Sequence, residues 1–406
     1  MSESAEPRSE RNVELIIACG CLIAVLSFGP RSAMGLFQAP MLAANDWTRE
    51  TFGLALAIQN LVWGAVQPFA GMIADKFGSS RVLTLGAFVY AAGLVLMANA
   101  DTAVMLHLSA GVLVGVGIAM SSFALVIATF GRRLPKEKQS FAFGLGTAAG
   151  SFGQFLFAPL GAELINRFGW QNALVVMGVM MLAIPVLAVA LRSGPQPGAS
   201  AAAAEMSMAR TIGQAFGHRS YVLLVSGFFV CGFQVAFITA HFPAFLADQG
   251  LSVRVGGIAL ALIGLFNIVG SITSGWIGGR YRKAPSLAII YLLRAIVVAV
   301  YIALPITPAS TIVFAAVMGL LWLSTVPLTS GLVAVMFGPR YMATLFGFVF
   351  FSHQIGSFLG VWLGGLLYDR TGSYDVVWWL SVVLGLFAAV IHLPIREKPA
   401  PALAPA

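Results

Sequence analysis

The sequence predicts an all-α membrane protein, with twelve transmembrane helices arranged as two pseudo-symmetric six-helix halves. Three observations predict it. Only 9% of the 406 residues are charged and 59% are hydrophobic, too little polar surface to keep a chain of this length dissolved in water. The apolar residues gather into some twelve runs, each about the roughly 20 residues that a spanning helix needs. The chain also resembles itself at an offset near half its length. The runs do not alternate polar with apolar. Backbone groups in lipid must be paired internally, so helices account for the runs better than barrel strands.

Taken in order, span one covers 13–38. It follows a polar stretch, MSESAEPRSERN, that lacks the short apolar core and cleavage site of a signal peptide, so it reads as a retained span. Spans two to six cover 50–73, 81–100, 104–131, 139–165 and 170–191. Polar segments that carry most of the basic residues divide them. The longest polar stretch, 192–220, contains SGPQPGASAAAAE and reads as a linker. Spans seven to twelve cover 221–247, 253–277, 285–304, 309–337, 341–368 and 375–395. The expected organisation is therefore a half at 1–191, a linker at 192–220 and a half at 221–406. A shift of 203 residues places Phe143, Gly144, Gly153, Phe155, Gly161 and Gly169 on Phe346, Gly347, Gly356, Phe358, Gly364 and Gly372. The same shift places Gly29 on Gly232, Arg31 on Gln234 and Pro40 on Pro243, and one residue more places Gly71 on Gly275. Two such halves with a binding site between them are a recurrent transporter plan.

The net charge of +8 does not mark a nucleic-acid binder, because the basic residues form no patch interleaved with aromatics. It marks topology. With the N-terminus inside, 17 of the 23 Lys and Arg residues fall on the inner side. Arg49, Arg167, Arg254 and Arg370 fall outside, and Arg31 and Arg294 lie within spans. This asymmetry predicts that both termini are cytoplasmic. Cys19, Cys21 and Cys231 lack metal-type spacing and read as small hydrophobes. Neither a Walker A sequence nor a His/Asp/Cys cluster occurs, so no cofactor, metal or enzyme activity is expected. GLGTAAG at Gly144 imitates a dinucleotide loop but sits inside a span, where Gly144, Gly146, Gly150 and Gly153 serve close helix approach or bending.

Between spans two and three runs GMIADKFGSSR. Its Gly71, Asp75, Lys76, Gly78 and Arg81 match the loop signature of the major facilitator superfamily, which the chain resembles. Glycine permits close approach and positive φ, and Asp can accept from Arg or a helix N-terminus. The resemblance implies that this cluster is a conformational latch; an ordinary polar turn is the alternative. The second half has Gly279 where Asp75 would fall, so the latch is one-sided.

Span one ends SFGPRSAMGLFQAP. Arg31 lies 18 residues after Val13, about 27 Å along a helix, in the outer hydrocarbon region. A guanidinium there costs about 2.5–3.5 kcal/mol or more, so it needs a partner or a watery cavity, and its forked donors suit a carboxylate. Snorkelling to the headgroups, or a salt bridge, is the alternative. The Pro–basic–Ser step, the Phe-rich tail and the following DWTR resemble the monocarboxylate transporter family and its bacterial relatives. That resemblance implies that Arg31 binds carboxylate. Span eight departs from the family pattern: neutral Asn267 and Ser271 stand where the animal members carry Asp and Arg. They can hydrogen-bond a ligand or bridge helices. His353 in span eleven lies near mid-membrane, at a position matching a substrate-binding Lys in the similar oxalate–formate exchangers. It is a candidate for anion binding and proton coupling, or a neutral inter-helix residue. Gln234 and His241 can share one face of span seven. Arg294 reads as a structural ion-pair or inner-cavity residue, and Glu163, His107, Asp248 and Arg254 read as solvated rim.

The expected function is secondary transport of a small organic anion, in the first place a monocarboxylate, by a monomer that uses alternating access with proton symport or anion exchange. Arg31, Asn267, Ser271, His353 and Gln234 would form the binding site. Export of amphipathic drugs or neutral metabolites is the alternative, and it gains from the neutral span eight. A receptor or sensor would be expected to append a soluble domain.

Overall fold

The computed structural model describes residues 6–192 and 208–399, all helices and connections. Ten segments qualify as spans by length and hydropathy alone. One of them, Gly144–Ala188, holds two spans joined at Gly169, whose φ of 78° breaks the helix. The helix Arg49–Phe77, interrupted by polar Gln59, Asn60 and Gln67, supplies the remaining span. The bundle is thus the expected twelve. Large side chains such as Leu22, Phe88, Val186, Ile289, Val313 and Val383 stay exposed around it, which fits contact with lipid rather than water.

Helix starts are chemically specified. Thr48 accepts from the Thr51 N–H at the start of span two, and Thr102 from Met105 at span four. Thr307 and Ser310 form a reciprocal box, with Pro308 following, at span ten. Stops use glycine where φ must be positive: Gly78 (90°) after span two, and Gly169 (78°) and Gly372 (72°). The last two are the pair that the 203-residue offset superimposes; both have positive φ, but Gly372 caps its helix in the left-handed conformation (ψ 7°) whereas Gly169 is extended in ψ (163°) and joins two helices.

Several boundaries differ from the sequence reading. Span one tightens into a 3-10 turn at Met34–Phe37, immediately after Arg31, and resumes as Gln38–Asn45. Spans four and ten, expected to be continuous, are both broken. Span four passes through a π-helical stretch, His107–Leu113, and stops at Ser121–Ser122 before Phe123–Arg133. Span ten runs Pro308–Leu321 and restarts at Thr325. Short hydroxyl residues at these points bond their own backbone (Ser121 Oγ to Gly117 O, Ser324 Oγ to Leu320 O, both 2.6 Å), which competes with helix continuation. The expected linker is helical over Met208–Gly217, and its residues 193–207 lie outside the described residues.

Within the halves, span one packs on span five and span seven on span eleven. Across the halves, span two packs on span eleven and span eight on span five. These two seams enclose the centre of the molecule. One face, the termini face, carries the start of span one, the end of span twelve and the loop after span two. The opposite, or far, face carries Arg49, Asp248 and Tyr374.

Candidate functional site

Arg31 lies in the last turn of the first helix of span one, Glu6–Ala33, and is 8% exposed. Its Nη2 donates to Asn60 Oδ1 at 2.8 Å. Its guanidinium lies 4.6 Å from the Trp63 ring centroid and 5.4 Å from that of Phe28, which screens its faces with π-density. Among the described residues no carboxylate pairs with it, and its Nε is buried without a hydrogen-bond partner. The side chain is buried within the bundle and is not directed to its outer surface. It lines a small cavity between the halves, with Met34, Leu56, Gln59 and Asn60 from the first half and Ala236, Thr239, Ala240 and Val361 from the second. The volume open to the centre of a water molecule there is about 10 Å³, room for about one water.

A line of hydrogen bonds leads from this cavity to His353. Gln354 Nε2 donates to the Asn60 carbonyl (3.0 Å), and Gln354 Oε1 meets His353 Nδ1 (3.0 Å). His353 stacks on Phe350 and packs against Phe228. His353 therefore reaches Arg31 only through Gln354 and Asn60.

Asn267, Ser271 and Gln234 are not brought to Arg31. Asn267 Nδ2 donates to Ser151 Oγ of span five (2.9 Å), while its Oδ1 accepts from Leu323 N (2.9 Å) and Ser271 Oγ (3.2 Å). The pair thereby bridges the five–eight seam and fastens the break in span ten. Gln234 turns the other way, donating to Ser381 O (3.0 Å) and accepting from Arg294 (3.4 Å). Arg294 caps the end of the broken span ten, donating to Leu321 O at 2.7 and 3.0 Å and to Trp322 O. The carbonyl end of a half-helix carries partial negative charge, which serves this cation in place of a carboxylate. His241, instead of lining the cavity, bonds the Val361 carbonyl (2.7 Å), Tyr374 Oη (3.1 Å) and Gln38 (3.2 Å).

The far face is closed by a network that the sequence reading missed. Asp248 is exposed at the rim, as expected, and there forms a two-armed ion pair with Arg49 at 2.5 and 2.6 Å. Arg49 also donates to Tyr374 Oη (2.9 Å) and lies 3.7 Å from the Tyr368 ring centroid. Asp369 accepts from the Arg49 and Glu50 N–H groups (3.1 and 2.6 Å), capping span two from the opposite half.

Towards the termini face the seams part. A methyl group on Gly64 would meet the Gln354 side chain, but two turns on, one on Gly71 or Gly347 would find nothing within 4 Å. The five–eight seam behaves alike. Gly264 abuts Ser151 and Phe155, whereas Gly144 and Gly275 face open space. The Gly71–Arg81 loop lies at this open end. Lys76 and Arg81 are exposed, and the side chain of Asp75 lies outside the described residues.

The family model for the Major Facilitator Superfamily matches residues 20–361. The chain belongs to that superfamily. The MFS-type transporter YcxA of Bacillus subtilis is 25% identical over 391 residues, covering 91% of both chains. Monocarboxylate transporter 13 of Bos taurus is 25% identical over 395 residues, covering 95% of this chain and 89% of its own. Among solved structures, a D-xylose–proton symporter superposes with a TM-score of 0.74 at 14% identity, over 96% of this chain and 98% of that one. A bacterial homologue of the lysosomal transporter Spinster, in an inward-facing conformation, superposes with a TM-score of 0.73 at 14% identity, over 98% of this chain and all of that one. This superfamily member is accordingly a multi-pass membrane transporter.

Proposed function

We propose that this transporter carries a small organic anion, a monocarboxylate, across a bacterial inner membrane by alternating access. The reading rests on one observation: a buried guanidinium, without a carboxylate partner among the described residues, lines the cavity between the halves and keeps one donor unused. A cargo carboxylate would neutralise that charge and accept its forked donors. The likeness to monocarboxylate transporters supports the same reading. The protein works as a monomer of two halves, 1–191 and 221–406. Its termini are cytoplasmic, so the described arrangement faces inward, with the Gly71–Arg81 loop at the parted end. His353 is the candidate for proton coupling, through either symport or anion exchange.

The test is uptake of labelled lactate, pyruvate, oxalate and formate into proteoliposomes, with and without a pH gradient. At least one monocarboxylate should be taken up, and Arg31→Ala should abolish that uptake. Indifference to all four carboxylates would overturn the reading. Transport that survives Arg31→Ala would favour export of amphipathic or neutral compounds. Stimulation by an inward proton gradient, lost in His353→Ala, supports symport; trans-stimulation without a pH effect supports exchange.

A further inference from the structure

Two residues outside the expected site stand between the cavity cation and the opposite half. Asn60 uses three of its groups at once. Its Nδ2 is held by the Leu56 carbonyl (2.8 Å) of its own helix, which fixes the side-chain rotamer. Its Oδ1 therefore points to Arg31, which it reaches at 2.8 Å. Its main-chain carbonyl, one turn before Gly64, accepts from Gln354 of span eleven at 3.0 Å. That approach depends on Gly64, because a methyl group there would come within 2.7–2.8 Å of the Gln354 side chain. Asn60 and Gln354 are 4% and 0% exposed, so neither bond is traded with water.

We propose that Asn60 positions the Arg31 guanidinium for its cargo, and that Gln354, seated on the Asn60 carbonyl over Gly64, carries occupancy of Arg31 across the seam to the second half. This rests on the carboxylate reading above. Asn60 presents a neutral oxygen, so it orients the guanidinium without cancelling its charge. The unused Nε then remains available to the cargo. A carboxylate that pulls Arg31 toward the cavity pulls on Asn60. Span two transmits the shift to Gln354, whose other arm is held by His353. A hydrogen bond that crosses a moving seam biases the equilibrium between the two arrangements, whereas one inside a half biases affinity.

The experiment measures uptake of the best labelled monocarboxylate in proteoliposomes, reading KM and maximal rate separately. Asn60→Ala should raise KM about 10-fold or more, as loss of a charged hydrogen bond in the bound complex predicts, and should also lower the maximal rate, because it cuts the link from Arg31 to Gln354. Asn60→Asp should abolish uptake, because its carboxylate pairs with Arg31 in the cargo's place. Gln354→Leu should keep KM and lower the maximal rate about 10-fold. Gly64→Ala acts on the same contact from the other helix and should reproduce that effect, with the double variant no worse than either single one. If Gln354→Leu fails to assemble, Gly64→Ala alone decides the point. Wild-type KM in Asn60→Ala, or a wild-type maximal rate in Gln354→Leu or Gly64→Ala, would overturn the inference while leaving the carboxylate reading intact. Failure of the unmodified chain to move any carboxylate would overturn both.

Discussion

Arg31 and Arg294 are both guanidiniums inside the bundle, and their donors separate their roles. Arg294 directs its donors onto the carbonyls of Leu321 and Trp322, the Gln234 amide oxygen and the Cys231 sulfur. Its charge is absorbed by the protein. Arg31 makes one such bond, to Asn60, and leaves Nε over. Arg294→Met should therefore lower the unfolding temperature of the purified protein, since each orphaned carbonyl costs about 1–3 kcal/mol. Arg31→Met should cost less stability, because it removes a poorly paired buried charge; differential scanning fluorimetry compares the two directly. Both arginines stand out in the sequence as charges inside apolar runs. Nothing in the sequence tells which one is already satisfied, because the satisfying groups are backbone carbonyls 27 and 28 residues away.

At the scale of elements, the paired breaks in spans four and ten matter most. Ser121–Ser122 and Ser324–Thr325 coincide under the same 203-residue offset that relates the halves. The break in span ten is fastened from several sides. Asn267 accepts the Leu323 N–H, Ser274 donates to the Ser324 carbonyl, and Gly270 lies against the Leu320 carbonyl. Gly270→Ala would force a methyl group into that carbonyl, and overpacking of this kind costs about 1–3 kcal/mol or more. The expected outcome is a lower unfolding temperature and lower yield of folded protein, measured by fluorimetry and size-exclusion chromatography. Hydropathy cannot reveal such breaks, since hydroxyl residues lower an apolar average only slightly. The repeated hydroxyl pairs at one offset were the legible signal.

For the whole molecule, the far face is fastened and the termini face is parted; in the alternating access proposed above, transport exchanges the two. The Arg49–Asp248 pair and the Asp369 cap hold the far face across the halves. Arg49→Gln should loosen it, raising hydrogen–deuterium exchange in the peptide spanning residues 46–53, where Asp369 now protects two N–H groups. The swap Arg49→Asp/Asp248→Arg should restore part of that protection. Gly275, with nothing within 4 Å, makes the complementary case. Gly275→Ala should leave thermal stability unchanged or raise it by up to about 1 kcal/mol, the helix-propensity gain. Under the alternating access proposed above it should nevertheless slow uptake, because the five–eight seam would close there. A wild-type uptake rate in this variant would show that the seam does not close at Gly275.

The sequence by itself determined the membrane bundle, its twelve spans and its two-half arrangement, because apolar length, charge placement and glycine spacing are local properties of the chain. It also singled out Arg31, since a cation in an apolar run is visible without coordinates. Only the tertiary structure decided what each polar residue faces. It set Asn267 and Ser271 to bracing a broken helix, Gln234 to holding Arg294, and Asn60 and Gln354 to linking the cavity with the second half. It also gave the rim residue Asp248 a partner in Arg49. Those assignments depend on partners up to 294 residues apart, brought together by the meeting of two seams, and hydrogen bonds of that reach leave no periodic trace along a single chain.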